Sequence, residues 1–151
     1  MKETRKEIRF INKSNNIDPV YTPGNSGFDL RANIENEIII PSMGRKLIPT
    51  GLFFEIPLDY ELQVRSRSGL ALKNGIMVLN SPGTVDSSYR GEVCVILFNT
   101  DEKEFIVNHG DRIAQAVICQ VQQMHTTELI NTEELSTTER NSNGFGSTGV
   151  K

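Results

Sequence analysis

The sequence is short of most features that announce a function. It has only two histidines and two cysteines. Cys94 and Cys119 stand alone in apolar stretches with no CxxC pair, so inert thiols are expected rather than a disulfide. His109 and His125 are too few and too far apart for a built-in zinc centre. No apolar run nears the ~20 residues of a membrane span. The charged opening MKETRKEIRF is not followed by the apolar stretch of a secretion signal, so a cytoplasmic protein with no membrane partner is expected. Positive charge is also scarce. The 16 Lys and Arg against 19 Asp and Glu leave a net charge of −3, the wrong balance for a protein that binds nucleic acid in bulk. Any phosphate recognised here must be met by a few placed arginines. No internal repeat is visible, and no long segment carries a helical apolar period.

What is present reads as short apolar runs. A chain of 151 residues, 37% hydrophobic and 23% charged, has the size and composition of one soluble domain. Candidate strands are Glu7–Ile11, Glu37–Ile40, Arg45–Ile48, Gly51–Ile56, Glu61–Arg65, Ile76–Leu79, Glu92–Asn99, Glu104–Val107 and Arg112–Gln122, each bounded by Gly, Pro, Asn or Asp. Many short strands at close spacing predict an all-β barrel or sandwich. One short helix is expected over Ser68–Asn74, with Ser68 as its cap and Gly75 as its left-handed C-terminal residue. Residues 136–151 are polar and small, with Phe145 their one large apolar side chain, so a domain over 1–135 and a mobile arm over 136–151 are expected.

That arm contains RNSNGFGSTG, in which Gly144, Gly146 and Gly149 spell GxGxxG. A dinucleotide turn needs a strand before the glycines and a helix after them. Only Val150 and Lys151 follow here, so that reading fails on context. Two others remain. One is a plain disordered tail. The other is an arm that closes over a phosphate ligand, its glycine N–H groups converging on oxygens and Arg140 adding charge. A solitary Phe145 among glycines suits stacking on a base.

The densest stretch of the body is QVRSRSGLALKNGIMVLNSPGTVDSSYRGEV, residues 63–93. Arg67, Ser68 and Gly69 at a helix start would offer a guanidinium, a hydroxyl and backbone N–H groups to an anion, or form only a solvated strand end with a cap. Ser81-Pro82-Gly83 predicts a tight turn. Asp86 beyond it is either a general base for water or a turn residue bonding amides. Counting every second residue puts Ile113, Val117, Cys119 and Val121 on one strand face with Gln115. A lone amide there must bond a buried backbone group or mark where a ligand meets the sheet. Asp111-Arg112 before it reads as an ion pair, either a surface one or, the reading preferred, a structural one.

Five stretches, SGFDLRA (26–32), RSGLA (67–71), NSPGTVDSSYRGE (80–92), GDRIAQ (110–115) and RNSNGFGSTG (140–149), occur in the order of the five motifs of trimeric dUTPases, the dUTP diphosphatases. The resemblance spans nearly the whole chain. It implies a jelly-roll-like distorted β-barrel, a homotrimer with three sites shared between subunits, and hydrolysis of dUTP to dUMP and pyrophosphate. That reaction keeps uracil out of DNA and supplies dUMP for dTMP synthesis. Mg²⁺ would be held by the substrate phosphates, with no direct protein ligand. By motif, Asp86 would activate the water that attacks the α-phosphorus, and Tyr89 would pack on the deoxyribose and exclude a 2′-hydroxyl. Asn80 with the backbone of Gly83, Thr84 and Val85 would read uracil. Arg67, Ser68, Gly69 and Gln115 would hold phosphate, and Asp29 would organise the site. From the arm, Arg140 would meet the γ-phosphate, Phe145 would stack on uracil, and Gly146, Ser147 and Thr148 would line the phosphates.

Two departures from the family pattern stand out. Asn141 and Asn143 replace two glycines of the arm, and Asn enters left-handed backbone more readily than most residues. Ser88 stands where an acidic residue is common. A related deaminase of dCTP would place a catalytic glutamate ten residues after Asp86, where this chain has the apolar Ile96. A silent regulatory protein on the same fold would be expected to lack Asp86, Tyr89 or Phe145, and all three are present.

Overall fold

The computed structural model describes residues 6–123 and 126–144. Among them are β1 (Arg9–Asn12), β2 (Phe28–Arg31), β3 (Ile38–Ile40), β4 (Arg45–Glu55), β5 (Tyr60–Arg65), α1 (Ser68–Asn74), β6 (Ile76–Val78), β7 (Gly83–Val85), β8 (Glu92–Asn99), β9 (Phe105–Val107) and β10 (Arg112–Gln120). Strands β1-β4-β8-β6 form one sheet, β2-β10-β5-β7 a second, and β3 pairs with β9 in a two-stranded ribbon. All strand pairs are antiparallel.

Alternation decides what each sheet buries. On β8, Val93, Val95, Leu97 and Asn99 face inward while Glu92, Cys94, Ile96 and Phe98 face out. The second sheet answers with Phe28, Leu30, Leu62, Val64, Ala114 and Ala116, and the two sets form one core. Phe28 and Phe54 meet across it with ring centroids 5.9 Å apart. Each such side chain contributes about 1.5–3 kcal/mol on burial.

Asn99 and Thr50 are the buried polar residues among those described, and Asn99 is fully buried. Its Nδ2 donates to the carbonyls of Ile40 (3.0 Å) and Lys103 (2.8 Å), and its Oδ1 accepts from the N–H of Asp101 (2.9 Å). It ties the β8–β9 turn to β3.

The structure corrects several expectations. Arg45–Ile48 and Gly51–Ile56 are one strand, β4, and Pro49-Thr50-Gly51 does not end it. The pairing with β8 slips there instead. The Thr50 hydroxyl donates to the Val93 carbonyl at 2.5 Å, and Glu92 Oε1 accepts from the Gly51 N–H at 2.7 Å. Side chains thus satisfy backbone groups that the slipped ladder leaves. Strands β2 and β7 were not expected. Helix α1 has the expected span, but its N-cap is Arg67 in extended backbone, with no side-chain cap bond, and Ser68 is already helical. Gly75 closes the helix at φ 63°, as expected, donating to the carbonyls of Ala71 and Leu70.

Candidate active site

One polar group lies on the outer face of the second sheet. The register sets Asp29, Gln115 and Arg65 side by side across β2, β10 and β5, and sets Arg31 opposite Arg112. Their neighbours Leu30, Ala114, Ala116 and Val64 point into the core. The period-two count failed at one residue here. The register shifts between Arg112 and Ala114, which turns Ile113 into the core at 2% exposure and leaves Arg112 and Gln115 on one face.

Asp29 is the hub of this group. Its Oδ1 lies 3.1 Å from Nε of Arg67, and its Oδ2 accepts from NH1 of Arg112 at 3.4 Å. Arg67 also donates through NH1 to the Arg112 carbonyl at 2.9 Å. The Arg67 NH2 group makes no bond among the described residues and remains available to an anion. Gln115 Nε2 donates to the Ser66 carbonyl at 2.9 Å, so the lone amide does bond a backbone group. The Ser66 hydroxyl in turn accepts from the Val78 N–H at 2.9 Å. The sequence reading passed over Ser66, whose single hydroxyl between two arginines gives no signal. Ser68 and Gly69 follow, exposed, at the head of α1. A cleft of about 490 Å³ opens beside Asp29, Arg31 and Gln115, walled by residues of the 14–27 loop. Asp111 does not pair with Arg112. Its Oδ2 accepts from the Asn108 N–H at 2.8 Å, a turn bond.

A second group sits around β7, the last strand of that sheet. Gly83, Thr84 and Val85 pair with Val64, Gln63 and Leu62 along one edge only. The Ser81–Pro82 peptide before them is cis. Gly83 is buried, and a Cβ there would lie 3.2 Å from Val64 Cβ and 3.3 Å from Asn80 Nδ2. In the turn that follows, the Tyr89 N–H donates to the Asp86 carbonyl (3.1 Å) and the Tyr89 hydroxyl to the Glu92 carbonyl (3.0 Å). Arg90 NH1 clasps the turn, donating to the carbonyls of Ser87 (2.7 Å) and Tyr89 (2.9 Å). The Asp86 carboxylate is exposed and bonds nothing among the described residues. Thr84, Val85, Asp86 and Tyr89 line a cavity of about 350 Å³ with Leu47, Glu92, Val93 and Cys94. Burial, with the Glu92 carboxylate adding to it, pushes the Cys94 thiol above its ordinary pKa. Both cysteines are free.

Asp29 and Gln115 line one cavity, Asp86 and Tyr89 another, and Arg67 and Asn80 line neither. None of Asp29, Arg67 and Gln115 lines the one with Asp86 and Tyr89, and none of Asn80, Asp86 and Tyr89 lines the cleft beside Asp29. Arg140 reaches neither group, donating from Nε to the Asn143 carbonyl at 2.9 Å within its own turn. Asn141 there takes left-handed backbone, φ 44°. Phe145, Gly146, Ser147 and Thr148 lie outside the described residues. Among the described residues no three of His, Cys, Asp and Glu gather where they could hold a metal ion. The donors here are guanidinium, amide and hydroxyl groups, which suit phosphate oxygens.

The dUTPase family pattern matches residues 14–149. The deoxyuridine 5′-triphosphate nucleotidohydrolase of Caulobacter vibrioides is 51% identical over 149 residues, covering 95% of this chain and 94% of that protein. That of Treponema denticola is 56% identical over 129 residues, covering 85% and 88%. Among solved structures, the Staphylococcus bacteriophage 80alpha dUTPase with dUPNHPP superposes with a TM-score of 0.85 at 23% identity, over 97% of this chain and 100% of that one. The strand architecture is therefore the jelly-roll-like fold of these neighbours. With the pattern spanning both groups of side chains and relatives half identical over most of its length, the chain belongs to the dUTPase family.

Proposed function

We propose that this protein hydrolyses dUTP to dUMP and pyrophosphate, at sites that draw on more than one copy of the chain. Family membership supports the substrate. The shared site is carried by one observation: Asp29 and Gln115 line one cavity of a single chain, and Asp86 and Tyr89 line another. A nucleoside triphosphate that needs both groups would meet them at a junction between copies. Two further features support a homotrimer. Leu47, Ile96, Phe98 and Met77 neighbour one another across β4, β8 and β6, on the face that β8 turns away from the core, an apolar patch of the kind that packs against another chain. Leu129, Ile130 and Leu135 also stand exposed beyond the barrel.

In this reading the second group takes the nucleoside. Asn80 and the one-sided edge of β7 read uracil by backbone and amide hydrogen bonds, and the Tyr89 ring packs on the deoxyribose and refuses a 2′-hydroxyl. Arg67, Ser68, Gly69 and Gln115 hold phosphate oxygens, with Asp29 fixing the aim of Arg67. Asp86 accepts a proton from water as the oxygen forms its bond to the α-phosphorus. The bond from that phosphorus to the bridging oxygen breaks, and pyrophosphate leaves with the electron pair. Its carboxylate has the uncommitted lone pairs a base requires. Mg²⁺ would be held by the triphosphate oxygens with no direct protein ligand and would offset their charge. The arm over 136–151 closes the site, with Arg140 on the γ-phosphate, Phe145 over uracil, and Gly146, Ser147 and Thr148 along the phosphates. Rate comes from positioning and charge stabilisation in a site that has shed water. No helix among the described residues is long and apolar enough to cross a membrane, and we place the reaction in the cytoplasm.

The test is pyrophosphate release from dUTP, with dCTP, dTTP and UTP in parallel, with and without Mg²⁺. Release from dUTP alone supports the reading. Release from none of them, with dUTP still bound, overturns it in favour of a regulatory protein.

A further inference from the structure

We infer that Gly91 is a positioning residue for substrate selection, acting by seating the Tyr89 ring. This rests on the role proposed above for Tyr89.

The hydroxyl end of the Tyr89 ring lies close against the backbone two positions ahead. A Cβ built on Gly91 would lie 2.5 Å from Cζ and 2.9 Å from Cε2 of that ring, and closer still to the hydroxyl oxygen. Real carbon atoms do not approach so near. Gly91 carries none of the left-handed backbone seen at Gly24, Gly51, Gly75 and Gly110. Its requirement is therefore space for the hydroxyl end of an aromatic ring and not backbone freedom.

That same end of the ring is hydrogen-bonded. Its hydroxyl donates to the Glu92 carbonyl at 3.0 Å, and the Arg90 guanidinium donates to the Tyr89 carbonyl at 2.9 Å. Glu92 is anchored by the bond from the Gly51 N–H to its carboxylate. The hydroxyl end of the ring is thus both bonded to Glu92 and closely bordered by Gly91, and the residue, 46% exposed, borders the cavity shared with Asp86. A wall that rejects one extra hydroxyl must not yield, because a displacement of about 1 Å is enough to admit the atom. Gly91 leaves room for the hydroxyl end of the ring beside the backbone, where that end meets the Glu92 carbonyl. A methyl group at 91 lifts the ring toward the cavity and breaks its bond to Glu92.

The experiment is a double-mutant cycle of Gly91→Ala and Tyr89→Ala, reading kcat and KM for dUTP and for UTP, with thermal midpoints on all four proteins. Gly91→Ala alone should raise KM for dUTP about tenfold and reduce the preference for dUTP over UTP by a similar factor, with kcat changed less than about threefold. In the Tyr89→Ala background the same alanine should cost nothing further in KM, preference or midpoint, because the ring it strikes is gone. If Gly91→Ala alone does not fold but the double variant does, the seat is shown by stability instead. Equal cost in both backgrounds, or wild-type KM and preference in folded Gly91→Ala, would overturn the inference. Failure of the underlying reading looks different: Tyr89→Ala itself would then keep wild-type KM and preference.

Discussion

Asp29 Oδ1 stands 3.1 Å from Nε of Arg67, joining a strand residue of the second sheet to the residue that caps α1. The same carboxylate holds Arg112, and Arg67 reaches on to the Arg112 carbonyl, so three segments distant in sequence lock one guanidinium. Both members of the Asp29–Arg67 pair are about a third exposed, and such pairs add only ~0–1 kcal/mol to stability. Their value lies in aim.

Asp29→Ala should therefore leave the thermal midpoint within a few degrees of wild type while lowering kcat/KM for dUTP roughly ten- to a hundredfold, the cost of a misplaced positioning group. Steady-state kinetics beside a thermal melt checks it. A melt lowered as severely as the activity would mean that Asp29 is a folding residue and not an organiser of the site.

Asn99 gives the opposite case. Its amide makes three bonds in a fully buried position and touches no proposed site residue. Asn99→Ala should cost about 2–4 kcal/mol in urea unfolding, because carbonyls and an N–H are left buried without partners. The kinetic constants of the folded fraction should stay near wild type. A loss below ~0.5 kcal/mol would contradict the bonding described.

Cys94 carries a pH dependence. Its thiol is raised above the ordinary value by burial and by Glu92, so the folded state holds the proton more tightly than the unfolded chain. The stability this contributes is fully present below the ordinary thiol pKa of ~8.5 and is lost as pH rises beyond it toward the raised value. Urea midpoints at pH 7.5 and pH 9.5 should therefore fall further for wild type than for Cys94→Ala. An identical fall in both proteins would contradict this.

The residues themselves explain what the sequence made legible. Strand β8 was readable to its ends because VCVILF is apolar on both faces, only one of which meets the core. The same continuity hid which face was which. Strands β2 and β7 were missed for the opposite reason. In FDLR only Phe28 and Leu30 are apolar, and GTV is three residues long and opens with glycine, so neither gives a run that periodicity can catch. The break expected at Pro49-Thr50-Gly51 did not occur, because bonds from Thr50 and to Glu92 bridge it, and Glu92 is far away in sequence. Ile113 was put on the wrong face by a bulge, which a count of two cannot anticipate. The candidate site residues were legible as five ordered motifs. Their division into two groups on one chain was not, since it depends on the order β2-β10-β5-β7 in which distant segments pair.

That division sets the most direct test. Arg67→Ala and Asp86→Asn should each release almost no pyrophosphate from dUTP as pure proteins. Mixed in equal amounts, unfolded together and refolded, they should recover activity well above the sum of the two, up to about a quarter of wild type for random assembly, because some sites then take Arg67 from one chain and Asp86 from another. No recovery from a mixture that has reassembled would contradict a site shared between copies.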